Sequence, residues 1–358
     1  MTNKEVTIGT SSVTIQIERG LIRTFLQYCK TQRVVIITDA TVHKHYGKYF
    51  QEVPCIIVAH GEASKSLSTL ESIVKQLLAY DVDPSVHLVG IGGGVVCDIT
   101  GFVASVYMRG ISFSLVPTTI LAQADAAVGG KNGVNFGDYK NILGTITQPE
   151  GIYIDPDVCE TLDDVQRANG LFEVLKYGCI ADRSLFEWCA VHAQDLLTGD
   201  SKALQHAVEQ SVALKLEFVT QDERDTGIRR ALNFGHTFGH ALELRYGMLH
   251  GYAVGCGTVI AAAMSHVRGL LVYDEFVLIY RTMVRFGIPD LPATSTSLFN
   301  SIRMDKKRTD TTITLVLLRT VGAYTFEKMN FDTVHDLCLK TDAFLMAEKN
   351  MCHAEQQS

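Results

Sequence analysis

The sequence predicts an α/β domain on a parallel sheet, followed by a mainly helical domain. Three observations lead there. Up to about residue 160, short β-branched runs alternate with segments of helical apolar spacing, the pattern of strands joined by crossover helices. Beyond that point six successive segments carry helical spacing. The length of 358 residues also suits two domains, at roughly 100–200 residues each. The division is set at 1–160 and 161–358.

In the first part, residues 33–38 (RVVIIT) form a compact strand ending at Asp39, and Cys55–Val58 forms a second. Residues 67–80 place Leu67, Leu70, Ile73, Val74, Leu77 and Leu78 on one helical face. Residues 86–91 (VHLVGI) make a buried strand that runs into Gly92, Gly93 and Gly94. Residues 113–116 make another, stopped by Pro117. The helices of the second part are expected at 165–181, 185–197, 203–220, 231–246, 253–270 and 276–286, with a strand pair at 313–318 and 323–326 around Gly322. The polar end, 347–358, is expected to fray.

Composition narrows the function classes. Lys plus Arg number 32 and Asp plus Glu 39, a net charge of −7. A hydrophobic fraction of 47% excludes disorder as the dominant state. The acidic balance argues against nucleic acid as the partner, yet leaves room for a local basic cleft that takes an anion. The apolar stretch 253–267 is interrupted by Ser265 and His266 and is shorter than the roughly 20 residues of a membrane span. The start lacks the basic and apolar regions of a signal peptide. Nine scattered cysteines without a Cys-x-x-Cys pair point to reduced thiols in the cytoplasm.

Four segments carry chemistry. In GIGGGVVCD a strand enters glycines and then a helix, so backbone N–H groups can approach a pyrophosphate. The third small position of that dinucleotide pattern is Cys97, and a plain tight turn remains the alternative. Residues 117–141 read as a long working loop with Lys131 after Gly129-Gly130 and Lys140 before Asn141, where lysines can meet phosphate. NFGHTFGHALE sets His236 and His240 four apart on one helical face, with His250 in LHG and Glu173 in EVLKYG nearby in type. Two histidines and a carboxylate suit a catalytic metal, and spacing alone favours His236 with His240. The basic run 303–308 is either a solvated face or a phosphate grip.

Together these segments resemble the 3-dehydroquinate synthase family. The likeness rests on GEASKS, GGGVVCD, GFVASVYMRG, PTT, VGGKNGVN, KN, EVLKYG, LNFGHTFGHALE, LHG and DKK in that order. It implies a Rossmann-like NAD⁺-binding domain before a metal- and substrate-binding domain, a homodimer, and a divalent metal, zinc ahead of cobalt. The implied substrate is a phosphorylated, carboxylated sugar, 3-deoxy-D-arabino-heptulosonate 7-phosphate. The implied products, on the shikimate route to chorismate and the aromatic amino acids, are 3-dehydroquinate and phosphate.

Position by position, the resemblance puts the metal on Glu173, His236 and His250 and makes His240 the proton-transfer residue. Phosphate contacts fall on Lys131, Asn141, Lys306 and Lys307, with Arg109 reaching across a dimer. Lys215, Arg229 and Asn233 match the carboxylate contacts, and Lys176 a further active-site lysine. Nucleotide contacts fall on Asp39, Glu62, Lys65, Gly93, Gly94, Val95, Val96, Cys97, Asp98, Thr118, Thr119, Asp125, Lys131, Lys140 and Thr161. Cys97, Asn132, Ala126-Ala127, Tyr252 and Asp225 depart from the family pattern without removing a metal ligand or a phosphate contact. Sister sugar-phosphate cyclases, metal-dependent polyol dehydrogenases and non-catalytic relatives are the alternatives; Lys215, Arg229 and Asn233 together favour a carboxylated substrate.

Overall fold

The computed structural model describes every residue except Met1, Asp138, Pro292, Ala293, 306–310 and Ser358, and the side chains of 303–305 and 350–357 are likewise outside it. The chain opens with β1 (Thr2–Ile8) and β2 (Ser11–Ile17), an antiparallel pair turning at Gly9. After α1 (Leu21–Cys29) come β3 (Val34–Asp39), α2 (Ala40–Tyr46), β4 (Cys55–Val58), α3 (Leu67–Ala79), β5 (His87–Gly92), α4 (Gly94–Val106) and β6 (Phe113–Pro117). A hairpin, β7 (Lys131–Phe136) and β8 (Tyr139–Ile146), precedes β9 (Gly151–Ile154).

The main sheet runs β1-β2-β9-β6-β5-β3-β4, and every neighbouring pair but the first is parallel. Every residue of β3 is buried, as expected of a strand covered on both faces. From β3 the chain steps outward to β4, then back to β5 on the other side. The strand order therefore reverses between β3 and β5, and ligands of such sheets bind outside the carboxyl ends at the reversal. Those ends are Asp39 and Gly92.

The remaining elements are α5 (Asp164–Ala181), α6 (Arg183–Val191), α7 (Ala193–Thr198), α8 (Ser201–Gln221), α9 (His236–Tyr246), α10 (His250–Val267), α11 (Tyr273–Arg285), α12 (Ser295–Asp305), the antiparallel pair β10 (Thr312–Thr320) and β11 (Ala323–Asn330), and α13 (Phe331–Gln357). Among the described residues no helix is long and apolar enough to cross a membrane.

Several expectations need correction. Segment 117–141 is not a loop: it holds a π-helical turn at Ala122–Ala126 and most of the β7–β8 hairpin. The hairpin is largely exposed along β8, so its polar sequence imitates a loop. Segment 185–197 is two helices, and 231–246 is a 3-10 turn followed by α9. Gly235, at φ 77°, makes that break. A Cβ there would meet Thr258 Oγ1 at 2.6 Å. The end expected to fray is helical through Gln357.

The division at 160 also differs from the structure. One compact unit is Met1–Gly170 with Thr198–Arg229, the other Leu171–Leu197 with Arg230–Ser358. Helix α8 joins the first unit because Val208, Val212, Leu216 and Val219 share a core with Ile8, Val13, Phe113 and Ile154. The second unit has its own core, in which Phe238, Leu242, Cys256 and Ile260 pack with Leu315, Leu317 and Val334.

Candidate active site

In the second unit, α9 and α10 cross at almost bare backbone. A Cβ on Gly257 would lie 1.9 Å from the Gly235 carbonyl oxygen, and one on Gly239 would lie 2.9 Å from that of Ala253. This close approach brings two helix starts together, with His236 opening α9 and His250 opening α10. Glu173, fully buried on α5, meets both: its Oε1 is 3.4 Å from His236 Nε2 and 3.2 Å from His250 Nε2. Its Oε2 is 2.5 Å from Nζ of Lys176, also buried.

The outer nitrogens identify the inner ones. His236 Nδ1 lies 3.1 Å from the Phe234 carbonyl, which can only accept, so Nδ1 carries the proton. His250 Nδ1 lies 3.4 Å from Glu243 Oε2. Both Nε2 atoms thereby face Glu173, the usual arrangement in which an outer acceptor orients a ligating imidazole, and on metal-free His250 that Nε2 holds a proton which a metal would displace. One donor atom each from Glu173, His236 and His250 lies within 4.8 Å of the others, as it also does for His240, Glu243 and His250. Two nitrogens and one carboxylate oxygen fit a divalent metal with a position left open. His240 stands one turn along α9, exposed, its ring 5.2 Å from that of His236 and 6.1 Å from that of His250.

Electrostatics match a cation site. Burial pushes the Glu173 carboxyl up, but Lys176, His236 and the histidine hydrogen bonds outweigh it and hold the group well below the usual carboxylate range. Burial opposes charge on His250, yet its bonds to Glu173 and Glu243 raise its pKa to about 10. The pair of carboxylates around His250 calls for positive charge between them.

In the first unit, α4 begins at the sheet reversal. Its first backbone bond joins Cys97 N–H to the Gly93 carbonyl, so the N–H groups of Gly94, Val95 and Val96 precede the ladder at an end without a side-chain cap. The glycines do not supply a left-handed turn, since none of Gly92, Gly93 and Gly94 has positive φ. They clear space: a Cβ on Gly92 would be 2.5 Å from Val96 Cγ2, and one on Gly93 would be 3.1 Å from Thr119 Cγ2. Cys97 is buried with its Sγ 3.7 Å from the Gly92 carbonyl, so its small side chain keeps helix against strand. This bare cradle fits a pyrophosphate. Asp39 caps α2, accepting from Thr41 and Val42 N–H at 2.8 and 3.0 Å. Thr118 N–H donates to the Gly92 carbonyl at 2.9 Å, and Thr119 Oγ1 accepts from Ala122 N–H at 3.2 Å.

Lys65 is buried and pairs with both Asp98 and Asn141. Burial raises the Asp98 carboxyl while Lys65 opposes that rise. Glu62 accepts from Asn135 Nδ2 at 2.7 Å. Lys215 Nζ donates to the Asp125 carbonyl at 2.5 Å and to its carboxylate at 2.9 Å. Arg229 donates to the carbonyls of Glu223 and Gly129 at 2.6 and 2.9 Å. That contact needs glycine at 129, where a Cβ would be 2.6 Å from Arg229 Nη2. Lys131 is half exposed and pairs with Asp225.

Lys140 is exposed beside Asn141, Thr161 bonds the Val158 carbonyl at 3.0 Å, and Asn233 is exposed before α9. Arg109 is exposed with φ 68° just after α4. Lys306 and Lys307 lie outside the described residues. Two residues that sequence reasoning passed over are Glu243 and Asn135. Glu243 could have been found from its spacing, three after His240 and seven after His236, on the same helical face.

The sequence matches the 3-dehydroquinate synthase N-terminal family over residues 55–169 and the C-terminal family over residues 170–308. The chain belongs to the 3-dehydroquinate synthase family. It is 38% identical to the 3-dehydroquinate synthase of Teredinibacter turnerae across 88% of this chain and 92% of that one. The synthase of Pseudomonas aeruginosa is 36% identical across 98% and 99%. Among solved structures, the 2-epi-5-epi-valiolone synthase of Streptomyces hygroscopicus, with NAD⁺ and Zn²⁺ bound, superposes with a TM-score of 0.83 at 27% identity, covering 95% of this chain and 98% of that one.

The departures from the 3-dehydroquinate synthase pattern have local accommodations. Asn132 donates to the carbonyls of Gly130 and Thr147 at 2.8 and 2.9 Å. The Tyr252 ring lies 5.1 Å from that of Phe172, and Asp225 holds Lys131. Among the described residues, Cys29, Cys55, Cys97, Cys159, Cys179, Cys189, Cys256 and Cys338 are free thiols.

Proposed function

We propose that the chain converts 3-deoxy-D-arabino-heptulosonate 7-phosphate to 3-dehydroquinate and phosphate, as an NAD- and metal-dependent carbon–oxygen lyase. The observation that carries this reading is the meeting of Glu173, His236 and His250, with His240 one turn away, in a chain of this family.

Glu173, His236 and His250 would hold a divalent metal, zinc ahead of cobalt, which would supply polarisation of the vicinal hydroxyls. The α4 cradle would hold NAD⁺, whose chemistry there would be reversible oxidation at C5. His240 takes the proton of the reacting hydroxyl, a task suited to imidazole near neutral pH. Lys176 holds Glu173 ionised. Oxidation acidifies C6–H, phosphate leaves by β-elimination, C5 is reduced again, and ring opening precedes an intramolecular aldol closure. Lys131, Asn141, Lys306 and Lys307 hold the departing phosphate, with Arg109 serving the neighbouring subunit of a homodimer. Lys215, Arg229 and Asn233 hold the carboxylate, a group Arg binds well. Asp125 and Asp225 set Lys215 and Lys131 in place beforehand. The setting is the cytoplasm.

The test is phosphate release from that heptulosonate phosphate with NAD⁺ and zinc, while absorbance is followed for NADH. Phosphate without net NADH is expected. NADH without phosphate would make the protein a dehydrogenase. Turnover of sedoheptulose 7-phosphate in its place would make it a sister cyclase.

A further inference from the structure

The β7–β8 hairpin has one irregularity, and it falls on Asn135. Val134 faces Leu143 and Phe136 faces Tyr139, so Lys140, Asn141 and Ile142 stand opposite Asn135 alone. Extra residues in one strand leave ladder groups unpaired and re-aim side chains. Here Asn141 takes φ 53°, and its N–H, out of the ladder, donates to Asn135 Oδ1 at 2.9 Å. The Asn135 Nδ2 donates the other way, to Glu62 Oε1 at 2.7 Å. Its backbone N–H donates to the Lys65 carbonyl at 2.9 Å, forming a parallel bridge with Ser66. The amide cannot be reversed, because Glu62 only accepts and the Asn141 N–H only donates.

We propose that Asn135 is a positioning residue that couples the nucleotide-binding segment at Glu62 and Lys65 to Asn141, the phosphate contact on the facing strand. This rests on the functional reading above, which assigns those two segments their ligands. One side chain spans both, and Lys65 reinforces the link by pairing with Asn141 from the nucleotide side. Binding of nucleotide against Glu62 and Lys65 therefore orders the strand that receives substrate. Asn135 itself touches neither ligand.

The test is hydrogen exchange of the backbone across 139–146, with and without saturating NAD⁺, on the full chain. In the wild type NAD⁺ slows exchange there. In Asn135→Ala that slowing, on the order of tenfold for one hydrogen bond to a charged group, disappears although NAD⁺ still binds. In Asn135→Asp the donor becomes a second carboxylate beside Glu62 and the coupling is lost. Adding Glu62→Gln restores a donor across the same gap and brings the slowing back, which also decides the matter should the alanine variant not fold. Equal NAD⁺-dependent slowing in the wild type and Asn135→Ala, no slowing in a wild type that binds NAD⁺, or no recovery in a double variant that binds NAD⁺ would each overturn the coupling. A wild type that binds no NAD⁺ would overturn the functional reading on which it rests.

Discussion

At the start of α4 the chain offers backbone N–H groups, with Gly92, Gly93 and Gly94 clearing side chains away, whereas around Glu173 it offers three side chains from α5, α9 and α10. The two regions tolerate change differently. Where the donors are main-chain atoms, a substitution that preserves shape preserves the donors, and Cys97 and Ala126-Ala127 all occur in or beside that cradle. Where the donors are side chains, as in the proposed metal site, identity matters. Glu173, His236 and His250 have no substitute that keeps both charge and reach.

That contrast can be broken by experiments on the second unit that read the first. The largest effect is expected from His250→Ala: loss of stoichiometric metal and of activity, with the fold retained and NAD⁺ affinity within about twofold, since a side-chain substitution in the second unit leaves the backbone donors of the first unchanged. Metal analysis and calorimetry check it, and full activity with stoichiometric metal would remove His250 from the ligand set. Next is His240→Ala, which should keep its metal and lose turnover by about 10²–10⁴-fold, the span of one positioned acid–base group. Disappearance of bound metal would instead return the ligand role to His240.

The smallest effect sharpens the comparison. Glu243→Gln should weaken metal binding by about 10–100-fold while leaving NAD⁺ binding alone, as expected for the loss of a partner that orients a ligand. Its pH dependence has a definite sign. Metal-free His250 holds its second proton up to about pH 10, and metal must displace the Nε2 proton. Metal affinity should therefore rise with pH toward 10 in the wild type. In Glu243→Gln the proton is held less tightly, and the rise should level off at lower pH. An unchanged profile, read by competition with a chromophoric chelator, would show that Glu243 does not act on His250.

The strands β3 and β4 and most helices were legible because burial on both faces or on one stripe imposes apolar periodicity. The β7–β8 hairpin was not, because its exposed residues obey no core. The residue types of the candidate site were legible in order, and Asn135 escaped because its contacts depend on a register irregularity that no spacing announces.

By itself the sequence determined the strand–helix alternation, the glycine run after β5 and the family, since each is written in local order. Tertiary structure decided which residues meet. Four-residue spacing puts His236 and His240 on one helical face, but convergence on Glu173 depends on where α9 and α10 cross, which Gly235, Gly239 and Gly257 permit. It also decided that α8 completes the first core, because an amphipathic stripe states that a face must be buried and not against what.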